Sequence, residues 1–461
     1  MPQRPNFLVF ITEQHRGDCL EAEGHPCLLT PNMDGIGAGG TRFRRAYSTC
    51  PTCIAARRSF LSGQFPATHG MVGYRDGVEW DAPPTVAEVL TRAGYQTAWI
   101  GRSMHQHPPR KRYGFEQILT HEEYRDWLEA NQPAGADGQF GAGPMHNDWT
   151  ARPWHMPEGL HSTNWIVQRA LEFLQRRDPS CPFFLVVSFY AAHPPLTPPE
   201  FYFNRYLRAD IPDPVIGGWA DPPDENWHRS GAGGINVDLR GEALRSCRAG
   251  YYGMINHVDD QLRRLLSPIT GVRKMTGGNT VVMLTSDHGE MLGDHYLYHK
   301  RLPYEPSARI PLMISAPDSP TGLTCEEPVC LEDLMPTVLD LAGADTPETV
   351  EGRSLVPLLR GENPDWRDAL HIEHSPAHQS LTDGREKYIW FVRDGREQFF
   401  DLTEDPEERH DLIDSGDHQE IIARWRRRLI EVLEDRPEGF TDGEDLIPGR
   451  PYPPLLNRRA R

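Results

Sequence analysis

Two cysteines separated by two residues, Cys50 and Cys53, stand just before a segment with helical character. A C-x-x-C pair can be a redox-active dithiol, in which the second thiol resolves the first, or one half of a zinc site. A zinc site would need a second pair of ligands at suitable spacing, and the sequence has no second C-x-x-C. Neither chemistry explains the residues that follow Cys53, which are I-A-A-R-R-S-F-L-S-G.

The residues after Cys53 favour an anion site. Small residues beside the cysteine allow the backbone to turn tightly, and a helix that begins there directs its first N–H groups at the cysteine position. Arg57, four residues further on, adds a planar fork of donors that suits an oxyanion. The stretch therefore predicts an anion-binding position centred on Cys53 and Arg57.

Two other pairs of polar residues could hold a metal ion. Glu13 and Gln14 follow an apolar run in T-E-Q-H-R, and Asp287 and His288 follow another in T-S-D-H-G-E. In open α/β sheets, ligands bind outside the carboxyl ends of the strands, where these four oxygen or nitrogen donors would meet at one metal. Taken separately, each pair is equally compatible with ordinary polar loop residues.

The pattern of apolar residues predicts the elements that carry these side chains. Runs of β-branched and aromatic residues predict strands, and stretches with a 3.6-residue apolar period predict helices between them. Their alternation indicates an α/β fold with a large, mostly parallel central sheet flanked by helices on both faces. The predicted strands are Phe7–Thr12, Thr41–Tyr47, Thr97–Gly101, Phe183–Tyr190, Thr280–Ser286 and Pro311–Ser315, and the predicted helices are Thr85–Ala93, Asn164–Arg177, Ala249–Leu266 and Leu331–Ala342.

The pattern changes in the last hundred or so residues of the chain. The runs E-K-Y-I-W-F-V and R-E-Q-F-F-D-L flank Asp394–Gly395, and D-G between two such runs predicts a β-hairpin. A helix over about 418–434 follows. We therefore expect two domains, a catalytic α/β domain over 1–355 and a small C-terminal antiparallel-sheet subdomain with a helix over 356–461.

Composition excludes several classes of function. The 461 residues include 48 Lys plus Arg and 66 Asp plus Glu, a net charge of −18, which argues against nucleic acid or an acidic membrane as a partner. An anionic substrate would need positive charge supplied locally. Eight scattered cysteines do not indicate a disulfide framework.

The longest apolar runs are of strand length and the N-terminus has no secretory signal pattern, so we expect a cytoplasmic protein that does not span a membrane.

Together, these motifs resemble those of a known family. C-I-A-A-R-R-S-F-L-S-G is similar to the sulfatase signature C-x-(P/A)-x-R followed by x-S-x-L-(T/S)-G, without a gap. P-N-F-L-V-F-I-T-E-Q-H-R-G-D resembles the family's opening, and S-D-H-G-E-M-L-G-D-H with H-K and Y-E-P-S-A-R-I-P-L-M-I resembles its second metal block. L-E-D-L-M-P-T-V-L-D-L-A-G and F-D-L-T-E-D-P-E-E-R-H-D-L resemble later landmarks. From residue 5 to about 412, the chain resembles the formylglycine sulfatases of the alkaline phosphatase superfamily.

The resemblance implies a mechanism. In that family a maturation enzyme oxidises the signature cysteine, here Cys53, to formylglycine, whose hydrated aldehyde attacks the sulfur of a sulfate ester and expels the alcohol. The second hydroxyl then lets the adduct collapse and release sulfate. The resemblance implies that Arg57 holds the gem-diol and that Cys50 is incidental. The residues it implies around one divalent metal ion are Glu13, Gln14, Asp287, His288 and the modified Cys53.

The resemblance also assigns residues to the substrate. Lys300 would neutralise sulfate oxygens, and His193 would contact the ester oxygen and act as general acid, a role that an imidazole suits near neutral pH. His105 would take a proton from the gem-diol. Arg102 would bind the substrate anion.

The chain departs from the family's pattern at several of these positions. Arg102 replaces the lysine of G-K-x-H, with one extra residue before His105, and Glu13 stands where aspartate is usual. Gln14 and His288 are neutral where sulfatases often have Asp and Asn. Ca²⁺ is the expected ion because it prefers oxygen ligands, with Mn²⁺ or Mg²⁺ as the alternatives, and an imidazole ligand also suits Mn²⁺ or Zn²⁺.

Other functions stay open beside a sulfatase. The acid–Gln and Asp–His pairs also resemble the phosphonate monoester hydrolases and phosphodiesterases of the same superfamily. A catalytically inactive anion-binding module and a C-x-x-C redox protein are the remaining alternatives.

The sulfatase hypothesis implies a small-molecule or saccharide sulfate ester as substrate, read by the Trp- and His-containing segments 107–162 and 208–246, and a formylglycine-generating maturation enzyme as partner. A homo-oligomer is compatible with the sequence.

Overall fold

A mostly parallel sheet of eight strands forms the centre of the computed structural model, which describes residues 4–267 and 271–456. The strand order is β5-β4-β6-β1-β7-β8-β2-β9, with five parallel and two antiparallel pairings. The predicted fold class is therefore confirmed. The strands are β1 (Asn6–Thr12), β2 (Thr41–Phe43), β3 (Ala46–Tyr47), β4 (Gln96–Gly101), β5 (Gln117–Leu119), β6 (Phe183–Ser188), β7 (Thr280–Ser286), β8 (Leu312–Ser315), β9 (Leu323–Cys325), β10 (Val329–Cys330), β11 (Leu370–His374), β12 (His378–Thr382), β13 (Glu386–Phe391) and β14 (Glu397–Asp401).

Helices cover both faces of this sheet. Successive side chains of a strand point to opposite faces, and in β1 Leu8 and Phe10 belong to one apolar cluster while Phe7 and Val9 belong to another. A strand buried on both sides needs the continuous apolar run that β1 has. The α-helices are α1 (Pro31–Ala38), α2 (Cys53–Ser62), α3 (Pro66–His69), α4 (Val86–Arg92), α5 (His121–Asn131), α6 (Ser162–Arg176), α7 (Glu200–Leu207), α8 (Gly241–Leu266), α9 (Val272–Thr276), α10 (Glu305–Ala308), α11 (Leu334–Ala342), α12 (Val356–Leu359) and α13 (Gln419–Leu433).

Three predicted elements differ from the structure. The predicted strand Thr41–Tyr47 is two strands, because the chain leaves the main sheet after β2 and β3 pairs with β10 instead. The predicted strand Pro311–Ser315 corresponds to β8, which runs antiparallel to both β7 and β2, a direction that apolar patterning does not encode. The predicted helix Ala249–Leu266 is the buried part of α8, whose exposed, polar first turns begin at Gly241.

The C-terminal region has its own antiparallel sheet, with strand order β11-β12-β13-β14. The predicted hairpin is β13–β14, connected through Asp394 and Gly395, and the predicted helix is α13. Trp425 and Leu429 of α13 pack with Tyr388 of the sheet. The division into domains at residue 355 stays a proposal, and the end of the predicted second domain, 457–461, lies outside the described residues.

Four parallel strands end beside one another at one edge of the main sheet. Thr12 of β1 pairs with Ser286 of β7, and Ile11 pairs with Ser188, the last residue of β6. Gly101, the last residue of β4, also pairs with Ser188. The segments that follow these strands therefore start side by side, about 5 Å apart from one strand to the next. Among the described residues, no helix combines the length and the apolar character that crossing a membrane requires.

Candidate active site

The two predicted pairs of metal-binding residues meet at this edge of the sheet. Glu13 and Gln14 follow β1, Asp287 and His288 follow β7, and all four side chains are buried. The backbone N–H of Gln14 donates to Oδ1 of Asp287 over 3.0 Å, and the N–H of His288 donates to the same oxygen over 2.9 Å. The parallel register of the two strands places these donors together.

Cys53 is the first residue of α2 and faces the same point. Its Sγ lies 3.3 Å from Nε2 of His288. Within each of two sets of three residues, the potential ligand atoms lie within 4.8 Å of one another: the first set is Glu13, Cys53 and His105, and the second is Cys53, Asp287 and His288. Cys53 is therefore the point at which both sets meet.

The two cysteines of the C-x-x-C motif have different surroundings. Cys50 packs against Ile54, Ala55 and Met71, whereas Cys53 faces the polar site. Burial raises the pKa of the Cys53 thiol to about 12 and the pKa of Cys50 well above its ordinary value. Since redox-active cysteines react as thiolates, neither thiol has the environment of a redox dithiol.

Arg57 projects from the second turn of α2 into the same site. Its Nη1 donates to Oγ of Ser188 over 3.1 Å, and its Nη2 lies 3.3 Å from Oδ2 of Asp287. Its Nε and Nη2 have no hydrogen-bond partner, so the guanidinium keeps donors for an anion. Ser188 was missed from the sequence, although its place at the end of β6 was a signal. The neighbouring Arg58 stacks over Trp80 at 5.0 Å and belongs to the packing.

Arg102 and His105 come from the loop after β4. Nε of Arg102 donates to Oε2 of Glu13 over 2.5 Å, and its guanidinium lies over the ring of Tyr190 at 4.7 Å. Nη2 of Arg102 is 3.2 Å from Nε2 of His105. Burial, and then the charge of Arg102, lowers the pKa of His105 well below its ordinary value. A neutral imidazole beside the Cys53 position can accept a proton.

Lys300 and His193 form a hydrogen-bonded pair on the other side of the site. Nζ of Lys300 donates to Oε1 of Gln14 over 2.6 Å and to Nε2 of His193 over 2.9 Å. An ammonium group can only donate, so Nε2 of His193 accepts and the ring proton lies on Nδ1, 2.6 Å from the carbonyl oxygen of Pro194. Burial, and then Lys300, lowers the pKa of His193 well below its ordinary value.

A buried carboxylate that the sequence did not single out orients Gln14. Glu290 accepts from Nε2 of Gln14 and from the backbone N–H groups of Leu292 and His299. An ionised carboxylate only accepts, so the amide nitrogen of Gln14 must face Glu290 and its oxygen must face the site. The acidic residue in S-D-H-G-E was the available signal.

These residues fit a divalent metal ion. Oε1 of Glu13 and Oδ2 of Asp287 are buried without a hydrogen-bond partner. Although Nη2 of Arg57 lies 3.3 Å from Oδ2, both oxygens keep lone pairs that a metal ion could use. With Oε1 of Gln14 and Nε2 of His288, the donor set is three oxygens and one imidazole nitrogen beside the Cys53 position. Such a set suits a hard divalent cation, and the imidazole also admits Mn²⁺ or Zn²⁺.

The site opens into a cavity of about 840 Å³. Cys53, His193 and Lys300 lie at its wall, and much of the rest of the lining comes from the loops after β4 and after α5. The expected substrate-reading segment 107–162 thus borders the cavity, but none of the side chains described in 208–246 lines it. The lining residues are Cys53, Tyr74, Asp76, Gly77, Arg102, Ser103, His105, Gln106, His107, Pro109, His121, Glu122, His146, Asn147, Tyr190, His193, Lys300 and Arg301.

Comparison with known proteins agrees with this architecture. The family model described as Sulfatase matches residues 5–344, and a model described as N-sulphoglucosamine sulphohydrolase, C-terminal, matches 293–435. The chain is 39% identical over 484 residues to the arylsulfatase of Clostridium perfringens, covering 99% of this chain and 100% of that protein. It is 30% identical over 434 residues to the choline-sulfatase of Rhizobium meliloti, covering 89% of this chain and 83% of that protein.

Among solved structures, the phosphonate monoester hydrolase of Agrobacterium radiobacter superposes with a TM-score of 0.79 at 25% identity, covering 97% of this chain and 100% of that one.

Proposed function

The chain belongs to the sulfatase family, and we propose that it hydrolyses a sulfate monoester to an alcohol and sulfate through a formylglycine made from Cys53. One observation carries the proposal. The Cys53 position, at the N-terminus of α2, is surrounded by two buried carboxylates and by the cationic side chains of Arg57, Arg102 and Lys300. In a protein of net charge −18, this local excess of positive charge is what an anionic ester needs.

Formylglycine and a divalent metal ion would complete the site. Glu13, Gln14, Asp287 and His288 would hold the ion, Ca²⁺ being the expected one with Mn²⁺ or Mg²⁺ as alternatives. When bound, the ion supplies positive charge that acidifies the nucleophile and offsets charge on the ester. A hydrated formylglycine supplies two hydroxyls, the first to attack sulfur and the second to release sulfate. A buried Cys53 thiol with a pKa near 12 would be a poor nucleophile without that modification.

The chain's own residues would then handle charge and protons. The unpartnered donors of Arg57 would hold the diol, and neutral His105 would accept a proton from it. Lys300 and Arg102 would bind sulfate oxygens. In the arrangement observed, Nε2 of His193 accepts from Lys300. His193 would therefore act as general acid after Lys300 turns to the sulfate oxygens and Nε2 takes up a proton from solvent, which it would then pass to the leaving alcohol oxygen.

Phosphonate monoester hydrolysis is the second candidate. The phosphonate monoester hydrolase of Agrobacterium radiobacter has the same fold, and the Gln14 and His288 donors are shared by that kind of enzyme in the resemblance above. The 39% identity to an arylsulfatase over nearly the whole chain favours the sulfate ester. An inactive anion-binding module is disfavoured because nucleophile position, metal donors and proton-transfer residues lie together, and a redox protein because both thiols are buried and protonated.

Two measurements test the proposed function. Tandem mass spectrometry of the peptide containing Cys50 and Cys53, from protein made in its native host, should locate formylglycine at Cys53 and intact cysteine at Cys50. Sulfate release from 4-nitrophenyl sulfate should exceed hydrolysis of a 4-nitrophenyl phosphonate monoester in kcat/KM. Unmodified Cys53 in active protein would exclude the formylglycine mechanism, and a strong preference for the phosphonate would establish the second candidate.

A further inference from the structure

We propose that a second, smaller pocket beside the catalytic cavity binds the alcohol part of the ester and selects a single apolar ring over a saccharide. The proposal rests on the sulfate-ester hydrolysis proposed above. It concerns the identity of the leaving alcohol, which differs among members of the sulfatase family. The two relatives described above are named for an aryl ester and for a choline ester.

The pocket adjoins the catalytic cavity where the leaving group must pass. The two share Arg102, His121, His146 and Tyr190. The ring centroids of Tyr190 and His146 lie 5.5 Å and 6.4 Å from that of His193, the residue proposed to contact the ester oxygen. Tyr190 and His146 therefore form a wall between the proposed ester-oxygen position and the pocket, so a group attached to that oxygen lies beside residues that line the pocket.

The lining of the pocket combines polar and apolar side chains, and its apolar part is aromatic and aliphatic. Trp154, Trp165 and Tyr124 contribute rings, and Ile166 and Met254 contribute aliphatic surface from α6 and α8. All five side chains are buried. Such surfaces stabilise an apolar ring by burial and by edge or face contacts between rings.

Several polar atoms of this lining already have partners. The hydroxyl of Tyr124 donates to the carbonyl of Leu160 over 2.9 Å, and Nδ1 of His161 accepts from the N–H of Thr163 over 3.2 Å. The hydroxyl of Tyr190 is hydrogen-bonded to Nδ1 of His146 over 2.6 Å. The polar side chains of Arg125 and Gln139 also line the pocket, but Arg125 is exposed and Gln139 half-buried. A saccharide would bury several hydroxyls here, with few partners beyond Nδ1 of His121, which has no hydrogen-bond partner of its own.

The volume of the pocket suits a single ring, and a larger group would extend into the adjoining catalytic cavity. The pocket encloses about 130 Å³, and an engineered apolar cavity of about 150 Å³ in another protein holds one benzene molecule. A fused pair of rings exceeds this space. The long segment between α5 and α6 supplies His146, Trp154 and His161 to the pocket, which gives this otherwise irregular stretch a role in choosing the substrate.

The test compares esters whose leaving alcohols are chemically alike. 2-Phenylethyl sulfate, ethyl sulfate and glucose 6-sulfate all release primary alcohols, so differences in kcat/KM report recognition of the alcohol rather than leaving-group chemistry. We expect 2-phenylethyl sulfate to exceed glucose 6-sulfate by at least about ten-fold in kcat/KM. Equal or faster hydrolysis of glucose 6-sulfate would overturn the pocket proposal, whereas no sulfate release from any ester, including 4-nitrophenyl sulfate, would overturn the proposed function itself.

Two opposite substitutions at Met254 locate the effect. Met254→Trp fills the pocket and should lower kcat/KM for 2-phenylethyl sulfate about ten-fold while leaving ethyl sulfate nearly unchanged. Met254→Ala enlarges the pocket and should raise the rate for 2-(1-naphthyl)ethyl sulfate relative to the phenyl ester. Val432→Ala in α13 is the control, since Val432 is 42% exposed and lines neither cavity. Equal loss on all esters from Met254→Trp in folded protein, or an unchanged naphthyl-to-phenyl ratio in Met254→Ala, would contradict the proposal.

Discussion

Nε of Arg102 donates to Oε2 of Glu13 over 2.5 Å, so two residues at which this chain departs from the sulfatase pattern are each other's partners. Glu13 is fully buried, and the side chain of Arg102 is 11% exposed. Burial alone would raise the pKa of Glu13, but Arg102 and its neighbours hold it well below its ordinary value. Glu13 and Arg102 thus form a buried ion pair next to the Cys53 position.

This pairing predicts strong coupling between the two positions. Glu13→Asp or Arg102→Lys alone shortens one partner and weakens a buried ion pair, and we expect a loss of about 10- to 100-fold in kcat/KM. Because either change already breaks the same contact, the double variant should lose little more than the worse of the two single variants. Steady-state kinetics of all four proteins measures the coupling, and losses that simply add in free energy would show that the residues act independently.

Glu290 sets the orientation of the Gln14 amide. This contact predicts how metal affinity changes when the amide and the carboxylate exchange positions. In Glu290→Gln the new amide oxygen must face the backbone N–H groups of Leu292 and His299, so its NH2 faces Gln14. Either orientation of the Gln14 amide then opposes two donors, at position 290 or at Lys300, and metal affinity should fall about 10- to 100-fold. In the double variant Gln14→Glu, Glu290→Gln the new amide can donate to the new carboxylate, which still presents an oxygen to the site, and metal affinity should return. Calorimetric titration with Ca²⁺ and with Mn²⁺ measures this without relying on turnover.

A purely structural role for Glu290 predicts a different result from that exchange. The double variant would then be no better than the worse of its single variants, and melting temperature would fall in parallel with metal affinity. Melting temperatures recorded with and without the metal ion distinguish the two cases.

The different surroundings of the two cysteines predict different consequences of their removal. Cys53→Ala should lower kcat by about three orders of magnitude or more, as expected for a nucleophile precursor. Cys50→Ala removes a small buried side chain from an apolar cluster, and should cost about 1 kcal/mol of stability with little change in kcat. Sulfate release and chemical denaturation provide the measurements. An equal loss of kcat in both variants would instead support the C-x-x-C redox interpretation.

Buried histidines predict that acid destabilises the protein. Burial lowers the pKa of His295 from 6.5 to about 4, and its Nδ1 accepts from the N–H of Gly217 over 3.0 Å. The folded state therefore favours the neutral ring. The stabilisation from His295 is fully present above pH 6.5 and is lost as pH falls toward 4, which amounts to about 2 kcal/mol between about pH 7.5 and about pH 5.

Urea denaturation of the wild type and of His295→Asn at the two pH values measures this contribution. Asparagine tolerates the positive φ of 55° at this position and can accept the same hydrogen bond, but it does not titrate. The variant should lose about 2 kcal/mol less than the wild type over this interval. His25 and His378 shift in the same direction, so only the difference between the two proteins is diagnostic, and identical losses would refute the assignment to His295.

Much of the fold and the chemistry was predictable because it is encoded locally. Apolar runs identified β1, β6 and β7, and the polar residues immediately after β1 and β7 identified Glu13, Gln14, Asp287 and His288. The signature around Cys53 and Arg57 is contiguous in sequence, so it can be identified without knowing how the rest of the chain folds. Parallel strands that end at one edge of a sheet then bring such segments together.

What only the tertiary structure decided is which side chain contacts which. Glu13 and Arg102 are 89 positions apart, Arg57 and Ser188 are 131 apart, and Gln14 and Glu290 are 276 apart. The direction of β8 and the pocket beside Tyr190 likewise depend on elements from distant parts of the chain. Hydrophobic periodicity and motifs act over a few residues, whereas a buried charge takes whichever partner the packing of the whole sheet places within hydrogen-bonding distance.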